Sequence, residues 1–330
     1  MATRAGVSHQ TVSRVINGGA KVSEATLRRV RAAIDELGYR PNSLARALAH
    51  GRSQRIGVLV GNSDQHGPVS TMQGLERAAR HHGYAPTTYS FRTPDELSAG
   101  VDFMLGQRVD GLAVITPHDA ALAALDGADL PEATLLVGAG PRAASRLHRP
   151  SIQIDQSGGA RVAVEHLIGL GHRRIAHLAG PEDWYDGHER RRQWAQTLTA
   201  AGLDATAVIE GDWRPDSGHA AAGKVLDAGV SAVFVANDQM ALGLVHGLAE
   251  HGRSVPGDIS IVGFDDLPES AHFLPPLTTV HQDFAALGED AVRLLLGEDG
   301  GLDEGAPTDA ERLRPWLVER ESTRRLTAAD

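Results

Sequence analysis

Twice along this chain, short apolar runs alternate with amphipathic stretches, and that rhythm admits few folds. The run RIGVLVG (55–61) is followed by helical patterning at 69–82, an apolar run at 84–89 and helical patterning at 94–105. Further apolar runs stand at 111–115 and 134–137, with a helix expected near 119–125. Continuous apolar strands need cover on both faces, and strands that alternate with helices pair in parallel. SIQID (151–155) reads as a strand crossing out of this first unit. The rhythm then restarts, with helices expected at 159–170, 188–201, 217–228 and 239–251 and strands at 174–178, 206–210, 232–235 and 259–264. TTVHQD (278–283) reads as a return crossing, before a helix at 284–296, a Gly- and Asp-rich surface loop at 297–309 and a strand at 316–320. The expectation is an α/β body of two doubly wound parallel-sheet lobes with a cleft between them.

The first fifty residues follow a different pattern. Residues 5–17 read AGVSHQTVSRVIN. Gly6 suits a sharp turn between helices, and Ser8 can cap a helix starting at His9. Val12, Val15 and Ile16 fall at i, i+3, i+4 as a buried stripe. Gln10, Ser13, Arg14 and Asn17 form the opposite stripe, which carries no carboxylate. Gln pairs bidentately with adenine and Arg with guanine, so this face can read a major groove. An ordinary solvated helix face is the alternative. Gly18 and Gly19 break that helix. Ser23 caps the next, whose core stripe is expected at Leu27, Val30, Ile34 and Leu37, with Gly38 closing it. Asn42 can cap a short helix at 43–50, and 51–53 is a joint. The head is thus a small all-α helix-turn-helix unit.

Charge supports that division. The 330 residues sum to −10, yet residues 1–55 hold ten Arg or Lys against three Asp or Glu, leaving a head of +7 on a body of −17. A basic head on an acidic body is the pattern expected when only the head meets phosphate. Cysteine is absent, which excludes disulfides and thiolate metal sites. No run of apolar residues suits a membrane span, and no basic start with an apolar core suggests a secretory signal, so a cytoplasmic protein is expected.

Ligands of open parallel sheets bind beyond the carboxyl ends of the strands. In the second lobe those ends lead to Arg190, to Trp213 in GDW, to Asn237 in AND, and to Asp265 in DD. A guanidinium, an indole, an amide and a carboxylate on one rim suit a sugar, whose hydroxyls take the polar groups and whose flat face takes the indole. Taken singly, Trp213 could be packing, Asn237 and Asp265 helix caps, and Arg190 a surface ion pair. Gly138-Ala139-Gly140 lacks the third glycine of a dinucleotide site. His81, His82 and His172 lack metal spacing. Asp265 and Asp266 are adjacent and have no partner base or nucleophile motif, so no enzyme, cofactor or metal is expected.

The chain resembles the lactose-repressor and galactose-repressor family of bacterial regulators, its lactose-type members above all. The resemblance rests on AGVSHQTVSRVIN, GYRPN (38–42), LARALA (44–49), GHRRIAHLAGP (171–181), VANDQMALG (235–243), DISIVGFDD (258–266) and PPLTTVHQD (275–283). It implies a body like the periplasmic binding proteins and a dimer on near-palindromic operator DNA. It implies base and backbone contacts from Ser8, His9, Gln10, Ser13, Arg14 and Asn17. It also implies a hinge helix contacting DNA through Asn42, Ala45 and Leu48, the last as an apolar wedge that unstacks a base step. Arg190, Trp213, Asn237 and Asp265 match effector-binding positions. Two positions depart from the lactose-type pattern. Gly138 stands where those members carry an acidic sugar ligand, and Ile115 stands near a polar position.

The expected division is a DNA-binding domain at 1–41, a hinge at 42–53 and a body at 54–330. Within the body the first lobe is expected at 54–152 and 282–311, and the second at 153–281 and 312–330. The function expected is a transcriptional regulator, a repressor of sugar-utilisation genes, whose operator affinity is set by a sugar in the cleft. A sugar-binding protein of the same body without effective DNA binding is the alternative, and a hydrolase using Asp265 a weaker one. Only Met1 to Ala5 precede the turn, about one and a half helical turns. The natural chain is therefore expected to begin upstream or to bind DNA weakly. No heptad pattern follows Arg320, so a dimer without a helical tetramerising tail is expected.

Overall fold

The computed structural model describes residues 1–16, 22–38, 52–61, 64–116, 118–297 and 311–326. They form two compact units, Met1–Gln54 and Arg55–Asp330.

The first unit holds α1 (Ala2–Ala5), α2 (His9–Ile16) and α3 (Glu24–Glu36). Gly6 ends α1 at φ 63°, the left-handed region where a side chain is strained. Ser8 Oγ accepts the amide of Thr11 at 3.2 Å, and Ser23 Oγ that of Thr26 at 3.4 Å. Each satisfies a donor that the helix itself cannot. Ala2, Ala5, Val12, Val30 and Ala33 are buried together, with Val15 and Ile34 packed against them. The expected stripe on α3 is corrected at its end. Leu37 is 51% exposed, being the residue after the last helical turn, and Ala33 takes the buried place. The side chain of Ile16, the Gly18-Gly19 break and the expected hinge helix at 43–50 lie outside the described residues.

In the second unit one sheet contains β1 (Arg55–Gly61), β2 (Ala85–Phe91), β3 (Gly111–Ile115), β4 (Thr134–Val137), β5 (Ser151–Ile154) and β11 (Glu311–Leu313). Its order is β11-β5-β4-β3-β1-β2, all parallel. The other contains β6 (Ile175–Ala179), β7 (Val208–Glu210), β8 (Ala232–Val235) and β9 (Ser260–Val262) in the parallel order β7-β6-β8-β9. β10 (Thr279–His281) and β12 (Trp316–Val318) pair antiparallel beside β9.

Both faces of each sheet are covered, as continuous apolar strands require. Ile56, Val58 and Val60 pack on α4 (His66–His81) and α13 (Phe284–Leu296). Leu59, Val114 and Leu136 pack on α5 (Pro94–Gly106), α6 (Asp119–Leu122) and α7 (Pro141–Leu147). In the second sheet Ile175, Ala232 and Phe234 meet α8 (Gln156–Gly169) and α9 (Tyr185–Ala200). Leu178, Val233 and Val235 meet Ala221, α11 (Ala222–Asp227) and α12 (Asp238–Glu250), and α10 (Pro215–Ala220) precedes Ala221.

Several expectations change. SIQID is a member of the first sheet, parallel to β4, and the crossing follows it at Asp155, which caps α8. The strand β11 and the helix α7 had no forecast. The helix expected at 217–228 is two helices that meet at Ala221. α4 starts at His66, with Pro68 in its first turn where no amide is needed. Among the described residues no helix is long and apolar enough to cross a membrane.

Candidate functional site

On the first unit, Ser8, His9, Gln10, Ser13 and Arg14 are all exposed on or beside α2, while Val12 anchors the helix inward. The face thus combines amide, hydroxyl, imidazole and guanidinium groups with no acid. Arg4 is engaged elsewhere, paired with Glu36 of α3. Asn17, Asn42, Ala45 and Leu48 lie outside the described residues.

On the second unit, strand order reverses between β1 and β3 in one sheet and between β6 and β8 in the other. Crevices open at such reversals. A cleft lies there, lined by Gln65, His66 and Pro68 from the start of α4 and by Trp184, Asp186, Arg190, Trp213, Asn237, Asp265 and Gln282. A neighbouring hollow shares Gly67, Pro68 and Asp186 and continues past Ile115, Thr116, Val137, Gly138 and Phe284. One wall is therefore polar and charged, the other largely apolar.

Arg190 organises the polar wall. It is buried on α9, its guanidinium 3.8 Å from the ring centroid of Phe264. Its Nε donates to Gln156 Oε1 at 2.9 Å, and Nη1 donates to the carbonyl of Ala236. Gln156 Nε2 donates to Gln282 Oε1 at 2.9 Å, and Gln282 Nε2 donates to Asp265 Oδ1 at 2.6 Å. That carboxylate stands 3.9 Å from Arg190, which closes a four-residue ring. Gln156 and Gln282 stand where the chain passes between the sheets, so the ring ties two crossings to the cleft wall.

Asn237 caps α12, its Oδ1 accepting from the amide of Met240 at 2.9 Å, while its Nδ2 donates to the carbonyl of Trp213 at 3.0 Å. The amide is both a cap and a cleft group. The ring of Trp213 lies flat over Gly180, where any Cβ would overlap it, and meets the edge of Trp184 at 5.4 Å. Its backbone sits at φ 73°, and its Nε1 is buried with no partner among the described residues. Across the mouth of the cleft, His118 Nδ1 lies 3.2 Å from the carbonyl of Asp183, with its ring against Trp184.

The site holds more buried acid than base. Burial pushes the Asp265 carboxyl up to about 7 against the pull of Arg190. Burial and the neighbouring Asp265 push Asp238 up to about 7 as well, although its oxygens accept from Thr279, Ser270 and the amide of Leu267. Asp186 is raised by burial. The folded state therefore holds protons that the unfolded chain has already released. Stability from these groups is full below the ordinary carboxylate value of about 4 and is lost as pH rises to about 7. Asp265→Asn is expected to flatten stability between about pH 4 and pH 7 relative to the parent chain, as thermal melts across that range will register. The paired comparison cancels buried His177, whose imidazole is pushed down to about 3 and acts with the opposite sign.

All four rim residues named from sequence line one cleft. Asp186, one turn before Arg190 on the same helix, was open to the same reasoning. Gln156 and Gln282 carried no local signal. Gly138, at φ 77°, and buried Ile115 border the hollow and bring no acidic side chain to it, where Asp186 is the acid of the lining.

A helical head with an exposed polar face free of acids on α2, and a two-sheet body with a lined crevice, are the parts of a ligand-responsive DNA-binding regulator. The chain belongs to the lacI family of bacterial regulatory proteins. Residues 1–42 match that family's description, and residues 164–323 match a periplasmic binding protein-like domain. The chain is 36% identical over 329 residues to the lactose operon repressor of Escherichia coli (strain K12), covering 98% of this chain and 89% of that protein. It is 38% identical over 307 residues to the HTH-type transcriptional regulator CelR of Thermobifida fusca, covering 90% and 89%. Among solved structures, the lac repressor dimer bound to operator and the anti-inducer ONPF matches with a TM-score of 0.84 at 35% identity, covering 98% and 97% of the two chains. A CelR–cellobiose complex matches with a TM-score of 0.70 at 34% identity, covering 97% and 98%. These relatives are transcriptional regulators, not enzymes.

Proposed function

We propose that this regulator binds a near-palindromic operator as a homodimer in the cytoplasm and that a sugar or glycoside in the cleft sets its operator affinity. The observation that carries the reading is the polar wall around Arg190, with Asp186, Asn237, Asp265 and the indole of Trp213 facing one crevice. Hydroxyls match these donors and acceptors, and the buried Trp213 Nε1 has no partner among the described residues. His9, Gln10 and Arg14 read bases, Ser8, Ser13 and Asn17 support them, and Asn42, Ala45 and Leu48 contact the DNA from the hinge. Effector that favours one arrangement of the lobes shifts the population of DNA-competent dimers.

The test is operator binding by fluorescence anisotropy on the DNA upstream of the chain's own gene, with and without a panel of mono- and disaccharides. Affinity falls steeply with salt, and one sugar class changes it. Arg14→Ala costs about 1–3 kcal/mol and relaxes preference at one base pair. Equal weakening on all sequences would make Arg14 a phosphate contact instead. No response to any sugar, with operator binding intact, would point to another ligand class.

A further inference from the structure

We propose that His219, His246 and Glu250 form a binding site for a divalent transition-metal ion, Zn²⁺ in the first instance, on the face of the body where α10 meets α12. The three side chains bring ligand atoms within 4.8 Å of one another. His219 Nε2 stands 2.9 Å from one oxygen of Glu250, and His246 Nε2 stands 3.4 Å from the other. The imidazole rings lie 4.9 Å apart. Two imidazoles and a carboxylate suit Zn²⁺, with the fourth position left to water.

The backbone explains why the groups converge. His246 and Glu250 are one turn apart on α12 and share a face. His219 comes from α10, which lies directly on α12 because three glycines remove the side chains between them. A Cβ on Gly218 would overlap the carbonyl of Met240, one on Gly243 that of Pro215, and one on Gly247 would press on the carbonyl of His219. The ligand positions are thus fixed by contact between two backbones rather than by flexible stems.

Stability does not explain the cluster, since exposed pairs of imidazole and carboxylate contribute little. Their side chains are 41% (His219), 68% (His246) and 55% (Glu250) exposed, so an ion has access from solvent. Asp216 and Leu242 border the same depression.

The experiment is a Zn²⁺ titration of the full, tag-free chain against a chromophoric chelator, with thermal melts in parallel. The parent chain is expected to take up one Zn²⁺ in competition with the chelator and to melt at a higher temperature with it. His246→Ala and His219→Ala are each expected to weaken binding by about tenfold or more and to remove the shift in melting. Glu250→Gln weakens it with little change in shape, and His272→Ala, at an exposed histidine elsewhere, leaves it unchanged. A parent chain that ignores Zn²⁺ in both measurements would overturn the proposal. So would His219 and His246 variants that bind as the parent does.

Discussion

Arg190→Ala is expected to cost about 3–5 kcal/mol in urea-induced unfolding and to abolish any effector response. The guanidinium is buried, donates to Gln156 and Ala236, and is flanked by Asp186 and Asp265 at 4.0 and 3.9 Å. Removing it strands two acceptors and leaves the acids without their cation. They escape ionisation only by keeping their protons, so the loss is larger at about pH 8, above the raised Asp265 value of about 7, than at about pH 5. Arg190→Lys does not restore the parent, because an ammonium cannot serve Gln156 and Ala236 in one plane while stacking on Phe264. A neutral effect of Arg190→Ala on stability at both pH values would show that the ring does not hold the wall.

Trp213→Ala is expected to cost about 3–5 kcal/mol, the range for emptying a buried large aromatic. The indole is 5% exposed and fills the space between Gly180, Trp184 and the cleft. The sharper test is its coupling to Gly180. Gly180→Ala alone forces the new methyl into the Trp213 ring and costs about 1–3 kcal/mol. In the Trp213→Ala background that methyl has room, and the second cost disappears. A double-mutant cycle by chemical unfolding reads the coupling directly, and additive effects would contradict the packing described.

What the sequence made legible follows from how each feature is encoded. The strands Arg55–Gly61, Gly111–Ile115, Thr134–Val137 and Ala232–Val235 are uninterrupted apolar runs bounded by turn residues, and each forms where the run stands. β11 is Glu-Arg-Leu, and nothing in that triplet announces a strand until β5 supplies its partner. The break at Ala221 was hidden because the 217–228 stretch keeps a helical pattern, while α10 lies against α12 at Gly218 and ends at Ala220. Arg190, Trp213, Asn237 and Asp265 were legible because each follows a strand end, and topology sends all strand ends to one rim. Gln156 and Gln282 are 126 residues apart, and only the paired chain crossings bring their amides together. The histidine of α10 was equally invisible, since its partners sit on another helix.

The order in which the strands enter their sheets bears on how the chain folds as it leaves the ribosome. β6, β7, β8 and β9 are all made between residues 175 and 262, so the second sheet has every strand while the nascent chain is still growing. The first sheet starts earlier and finishes later. Its helix α13 spans Phe284–Leu296 and its edge strand β11 spans Glu311–Leu313, both synthesised after the four strands of the second sheet. Until they emerge, Leu75, Ala78 and Ala79 of α4 lack the apolar cover that Leu287, Ala291 and Leu295 provide. The lobe begun first therefore waits for residues made after the second sheet's four strands, and its uncovered helix is the surface a chaperone would meet during that interval.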